Sequence, residues 1–176
     1  MPEFASPDTL TWMQAALRMG AATFLPFLIG LERFLRDKPI DFRPFVIISV
    51  GAAGLIIASI EMLAAAGDSP QSRIDPTRVI EGVITGIGFL GAGAMFRQGN
   101  FVQGAGSAAS IWTAGAIGLA CGMGEIWLAL VMAGIVLAVL IASGPFTDKW
   151  DAEHNPPDQS GDRERSSENE DCHQSA

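Results

Sequence analysis

Ile126-Trp-Leu-Ala-Leu-Val-Met-Ala-Gly-Ile-Val-Leu-Ala-Val-Leu-Ile-Ala142 runs without a single charged side chain, and this stretch decides the fold class. A bilayer core roughly 30 Å thick takes about 20 apolar helical residues per crossing. Ser143-Gly144-Pro145 follows directly and is expected to end the helix, because proline brings no N–H and clashes with the preceding turn.

Four more segments of similar kind precede it, separated by short charged islands. The first spans about 10–31, interrupted by Arg18 and stopped by Glu32, Arg33, Arg36, Asp37, Lys38, Asp41 and Arg43. The second spans about 45–66, opened by Arg43-Pro44 and closed by Gly67-Asp68-Ser69-Pro70. The third spans about 76–96, with Asp75 as its N-cap, and carries Gly82, Gly86, Gly88, Gly91 and Gly93. In a bilayer the backbone has no water to turn to, so helix persists and small residues let neighbours approach closely. These glycines are therefore expected to seat helix 3 at the bundle's centre. The fourth segment, about 107–121, is built of Ala, Gly and Ser around Ile111 and Trp112, too weakly apolar to face lipid, and must be packed among other helices. The expected fold is an all-α integral membrane protein, a bundle of about five transmembrane helices.

Composition agrees: 49% of the 176 residues are hydrophobic and 17% charged. The net charge of −8 lies mostly in the tail, where residues 148–176 hold nine acids and three bases against ten and eight before them. No basic patch for nucleic acid results. The tail has Pro156-Pro157 and almost no large apolar residues, so it is expected to stay disordered. This divides the chain into a membrane domain, 1–144, and an acidic cytoplasmic tail, 145–176. Cys121 and Cys172 lie far apart and are read as unpaired thiols. No Lys or Arg precedes helix 1 before Arg18, so a cleavable signal peptide is not expected.

Orientation follows from the positive-inside rule. With the N-terminus outside, inner loops hold Arg33, Arg36, Lys38, Arg43, Arg97 and Lys149, whereas outer loops hold only Arg73 and Arg78. The C-terminus then lies inside.

Gly86-Ile-Gly-Phe-Leu-Gly91 matches the dinucleotide fingerprint G-x-G-x-x-G, but no strand precedes it and no βαβ unit surrounds it. Helix packing explains it better. The segments Asp75-Pro76-x-Arg78, Gly86-Ile-Gly-Phe-Leu-Gly-Ala-Gly93, then Gly99, Val102, Gly104 and Ala108-Ala-Ser-x-Trp112, with Gly30-Leu-Glu-Arg33 closing helix 1, carry the strongest signal in the chain. Together they resemble the MgtC/SapB family of membrane proteins over roughly residues 13–142. The resemblance implies a bacterial inner-membrane protein whose relatives are regulators, supporting survival under magnesium limitation and inside host cells by restraining ATP synthase. Three departures stand out. Arg43-Pro44-Phe45 replaces an Arg-Thr-His, Gln103 replaces a basic residue, and the tail replaces a folded cytoplasmic domain.

Ionisable groups at membrane depth are costly and tend to be functional. Arg18, Glu61 and Glu81 are expected near the outer leaflet as a candidate charge cluster, with Arg18–Glu81 the pair of interest; alternatively Arg18 snorkels and the acids reach the headgroups. Asp75 and Arg78 at the start of helix 3 read as an N-cap with a local ion pair, or as a cation or partner site. Glu32, Arg33, Arg43 and Arg97 form a candidate cytoplasmic interaction surface. The glycine-containing segment from Gln98 leads to a helix 4 start that can attract an anion, or is simply a flexible loop.

Catalysis has little to work with. Both histidines, His154 and His173, lie in the tail, and no nucleophile–base pair, Walker lysine or metal-ligand spacing occurs, so no enzyme activity, cofactor or metal is expected. Two functions remain: a regulator acting on a membrane complex such as ATP synthase or a transporter, with a homo-oligomer possible within the bilayer, or a small magnesium transporter or channel subunit.

Overall fold

A computed structural model describes residues 10–36, 41–66, 75–98 and 101–154, with backbone alone for 96–98, 101–103 and 144–154. The order is α1 (Trp12–Leu35), α2 (Arg43–Ala66), α3 (Pro76–Gly93), β1 (Phe96–Gln98), β2 (Phe101–Gln103), α4 (Ala105–Met123) and α5 (Ile126–His154). The chain divides into two units, 1–140 and 141–176. The helical bundle is the first; the second, where described, holds the end of α5.

Local chemistry sets the boundaries. Thr11 and Gln14 form a reciprocal capping box, Thr11 Oγ1 accepting from Gln14 N–H at 3.3 Å and Gln14 Oε1 accepting from Thr11 N–H at 3.1 Å. α1 therefore starts at Trp12. Its buried residues, Ala22, Leu25, Pro26, Ile29 and Gly30, recur at the spacing of one helical stripe. Asp75 caps α3 as the sequence suggests, accepting from Thr77 N–H at 2.9 Å with Pro76 in the first turn.

α4, not α3, is the centre of the bundle. Twelve of its 19 residues are buried, among them Ala114, Gly115, Ile117, Gly118 and Gly122, whereas α3 buries only Ile87 and Gly91. α2 and α4 run in the same direction and touch backbone to backbone. A Cβ on Gly118 would stand 2.8 Å from Ser49 Cα, and one on Gly122 would stand 2.7 Å from the Ala53 carbonyl oxygen. Of the five glycines that sequence reading assigned to packing on α3, Gly82, Gly86, Gly88 and Gly93 have nothing within 4 Å of where a Cβ would lie. Gly91 alone meets a neighbour, Ala108, with its carbonyl oxygen at 3.5 Å. The reason is register: α3 turns Ile80, Val83, Ile84 and Ile87 inward, so most of its glycines fall on the opposite side.

α5 packs through Ala129 and Ala133, while Leu130, Val131, Ile135 and Val139 stay exposed, as a lipid-facing helix requires. Among the described residues three helices, α1, α2 and α5 over Ile126–Ser143, are long and apolar enough to cross a membrane. The expected stop at Ser143-Gly144-Pro145 does not hold: α5 continues to His154, so the first ten residues assigned to a disordered tail are helical. Glycine before proline removes the Cβ that would clash with the ring, which eases that passage. Between α3 and α4 the chain forms a short antiparallel ribbon, Arg97 opposite Val102. Residues 155–176, Lys38 and Gly67 to Pro70 lie outside the described residues.

Candidate functional site

The charged groups of the described bundle gather at its two ends. At one end Arg33, on the last turn of α1, donates from Nη2 to Ser107 Oγ at 2.8 Å in the first turn of α4. The guanidinium lies over Gly106, where a Cβ would stand in ordinary contact at 3.6 Å from Arg33 Nη2. Arg36 pairs with Glu32 one turn back. Glu32 is 11% exposed, and neither carboxylate oxygen has an aligned hydrogen-bond donor; Arg33 Nε is likewise enclosed, without an acceptor. The N-cap of α4 is Gly104, at φ 86, which offers no side chain to the first-turn N–H groups. A Cβ at Gly104 would press on the Ala94 carbonyl, so the turn out of the ribbon demands glycine twice over.

The candidate interaction surface is therefore split. Arg33 is turned into the α1–α4 junction and Glu32 is largely buried, while Arg43 is 75% exposed and paired to Asp41 at 3.1 Å. The side chain of Arg97 lies outside the described residues. Gly30 lets α1 approach the start of α2: a Cβ there would stand 2.8 Å from Phe42 Cα. Phe42 in turn meets Phe27 edge to face at 5.6 Å.

At the other end Arg18 donates from Nη1 to the Gly122 carbonyl at 2.8 Å. α4 ends there on Gly124, at φ 95, with Glu125 N–H reaching back to the Ala120 carbonyl at 2.9 Å. A guanidinium on the last carbonyls of a helix lies at the negative end of its dipole. Arg18 makes no ion pair with Glu81. α2 and α4 stand between α1 and α3, and Glu81 is exposed on the far side of α3. Glu61 is partly buried near the end of α2. The cluster of Arg18, Glu61 and Glu81 thus loses its Arg18–Glu81 bond, and Arg18 serves α4. Arg18→Met is expected to lower resistance to unfolding in detergent by about 1–2 kcal/mol, read by SDS titration of the purified chain.

At the α3 start, the hydroxyl and backbone N–H of Thr77 hold the Asp75 carboxyl below its ordinary range, with Arg78 adding to the effect. Asp75 acts as a cap, and its oxygen Oδ1 is already engaged by Thr77 Oγ1 at 2.7 Å. Sequence reading missed the Gly115-x-x-Gly118-x-x-x-Gly122 stripe of α4, whose three-and-four spacing was available as a signal.

Apolar helices, a centre seated on glycine and charges confined to the two ends define a helical membrane-bundle protein. Residues 19–149 match the MgtC family, and the chain belongs to it. It is 38% identical over 121 residues to Protein MgtC of Brucella abortus, covering 69% of this chain and 48% of that protein. It is 37% identical to Protein MgtC of Salmonella typhimurium over 71% of this chain and 50% of that one. It is 35% identical to Protein SapB of Bacillus subtilis over 69% and 50%. The chain spans about half the length of these curated relatives. No solved structure matches it.

Proposed function

We propose that this chain is a regulator resident in the bacterial inner membrane, crossing it five times with its N-terminus outside and its tail inside. It acts by binding a larger membrane complex, an ATP synthase or a transporter, during adaptation to magnesium limitation or other stress, the setting that also links its relatives to virulence. The observation that carries this reading is the direct backbone contact of α2 with α4 at Gly118 and Gly122, which fills the bundle axis where a conduction path would run. Of the four buried serines among the described residues, Ser59 and Ser110 bond to carbonyls of their own helices, Ser107 accepts from Arg33, and Ser49 alone is enclosed without a hydrogen-bond partner, too few to form a polar row. A transporter needs a row of polar groups facing one path, whereas Glu81 faces away from the bundle. The six-to-two distribution of basic residues supports the orientation, in which exposed Arg43 faces the cytoplasm.

The test has two arms run on one preparation. In liposomes, the chain is expected to show no magnesium flux above empty vesicles. From bacterial membranes, the tagged chain is expected to capture a stable membrane-protein complex, and Arg43→Glu to reduce that capture without changing the chain's own unfolding. Magnesium flux abolished by Glu81→Gln would establish the transporter reading instead.

A further inference from the structure

α3 and α4 are both outside the set of helices long and apolar enough to cross a membrane by themselves. α4 meets that difficulty by burial inside the chain. α3 does not, and its outward side carries a stripe at heptad spacing: Arg78, Glu81, Thr85, Gly88 and Ala92, all exposed. Neither Arg78 nor Glu81 makes an ion pair among the described residues, and Gly88 meets open space. The Thr85 hydroxyl is satisfied by the Glu81 carbonyl at 2.7 Å, but a helix that turns two charges and bare backbone away from its own bundle is poorly solvated by lipid tails.

We infer that the Arg78–Ala92 stripe of α3 is a dimer interface that binds a second copy of this chain. Charge selects that occupant. Copies inserted in one membrane share one orientation, so their two-fold axis runs along the membrane normal and the two α3 helices meet in parallel. Arg78 and Glu81 flank the stripe's midline on opposite sides and differ by three residues, about 4.5 Å along the axis. The two-fold then sets Arg78 of each copy beside Glu81 of the other, giving two ion pairs from one sequence. Below them Thr85, Gly88 and Ala92 let the backbones approach closely. This inference goes beyond the regulatory reading and stands or falls independently of it, because it concerns the chain's contact with itself.

The test is disulfide crosslinking of the full chain in membranes, on a Cys172→Ser background with the buried Cys121 retained. Thr85→Cys, Gly88→Cys and Ala92→Cys are expected to give covalent dimers, whereas Ile135→Cys on the exposed face of α5 is not. Monitored through Ala92→Cys, Arg78→Glu or Glu81→Arg alone is expected to cut the dimer fraction about fivefold, by placing like charges together. The two reversals combined are expected to restore it, which a merely unfolded variant cannot do. Gly88→Leu should also lower dimer formation while leaving unfolding in detergent unchanged, since the monomer has room for it. The inference is overturned by the absence of dimers at all three positions, by equal crosslinking at Ile135, by failure of the double reversal to restore, or by crosslinks to a different protein only.

Discussion

Gly118→Ala is expected to destabilise the bundle by about 2–3 kcal/mol, while Gly86→Ala leaves it unchanged or slightly more stable. Both changes add one methyl to a glycine in a helix of the same bundle. They differ in what the methyl meets. At Gly118 it meets the Ser49 backbone, with Cα and carbonyl carbon each at 2.8 Å, and a backbone cannot rotate away as a side chain can. α2 and α4 must separate, and every contact along their parallel run loosens, including Gly122 against Ala53. At Gly86 nothing lies within 4 Å. Gly115→Ala should fall between the two, because the nearest atom there is the terminal methyl of Ile87, which has another rotamer to adopt. SDS titration followed by tryptophan fluorescence reads the series. The ordering Gly118, then Gly115, then Gly86 is the result that matters, and a larger loss at Gly86 than at Gly118 overturns the assignment of α4 as the centre.

That series also marks where the amino-acid sequence is legible and where it is not. Helix positions were readable from apolar length, and the Asp75-Pro76 start of α3 from its cap, because both depend on a few neighbouring residues. The side each helix turns inward was not. Glycine in an apolar helix states only that no side chain is present, and α3 and α4 are both rich in it. What separates them is Ile80, Ile84 and Ile87 on one side of α3, which draws that side inward and leaves Gly82 and Gly86 outside. Arg18 shows the same limit. Its depth was evident, but its partner is a main-chain carbonyl at Gly122, and every residue has a carbonyl. The end of α5 misled for a third reason: Gly144-Pro145 is a stop only where continuing the helix gains nothing, and α5 passes through it to His154.

Glu32→Gln is expected to cost about 3 kcal/mol, and the double change Glu32→Gln with Arg36→Met markedly less. The carboxylate is nearly enclosed at the end of α1, with Arg36 as its ion-pair partner and Arg33 next in sequence. Arg33 lies against the first turn of α4, the positive end of that helix dipole, which is an unfavourable place for a cation. Glu32 makes it tolerable. Neutralising Glu32 removes the negative charge beside Arg33 and the start of α4, whereas removing Arg36 as well takes away the cation that Glu32 pairs with. Arg33→Met alone should be milder than Glu32→Gln, because it sacrifices the Ser107 hydrogen bond but relieves the repulsion from α4. The double-mutant cycle on SDS unfolding measures the coupling, expected at about 1–2 kcal/mol between Glu32 and Arg36. Additive losses would show that Glu32 does not act through Arg36, and would return this residue to the surface role that its charge alone suggests. If the coupling is found, partner binding on this side falls to Arg43 and its surroundings, and Glu32 and Arg33 act on a partner only by holding α1 against α4.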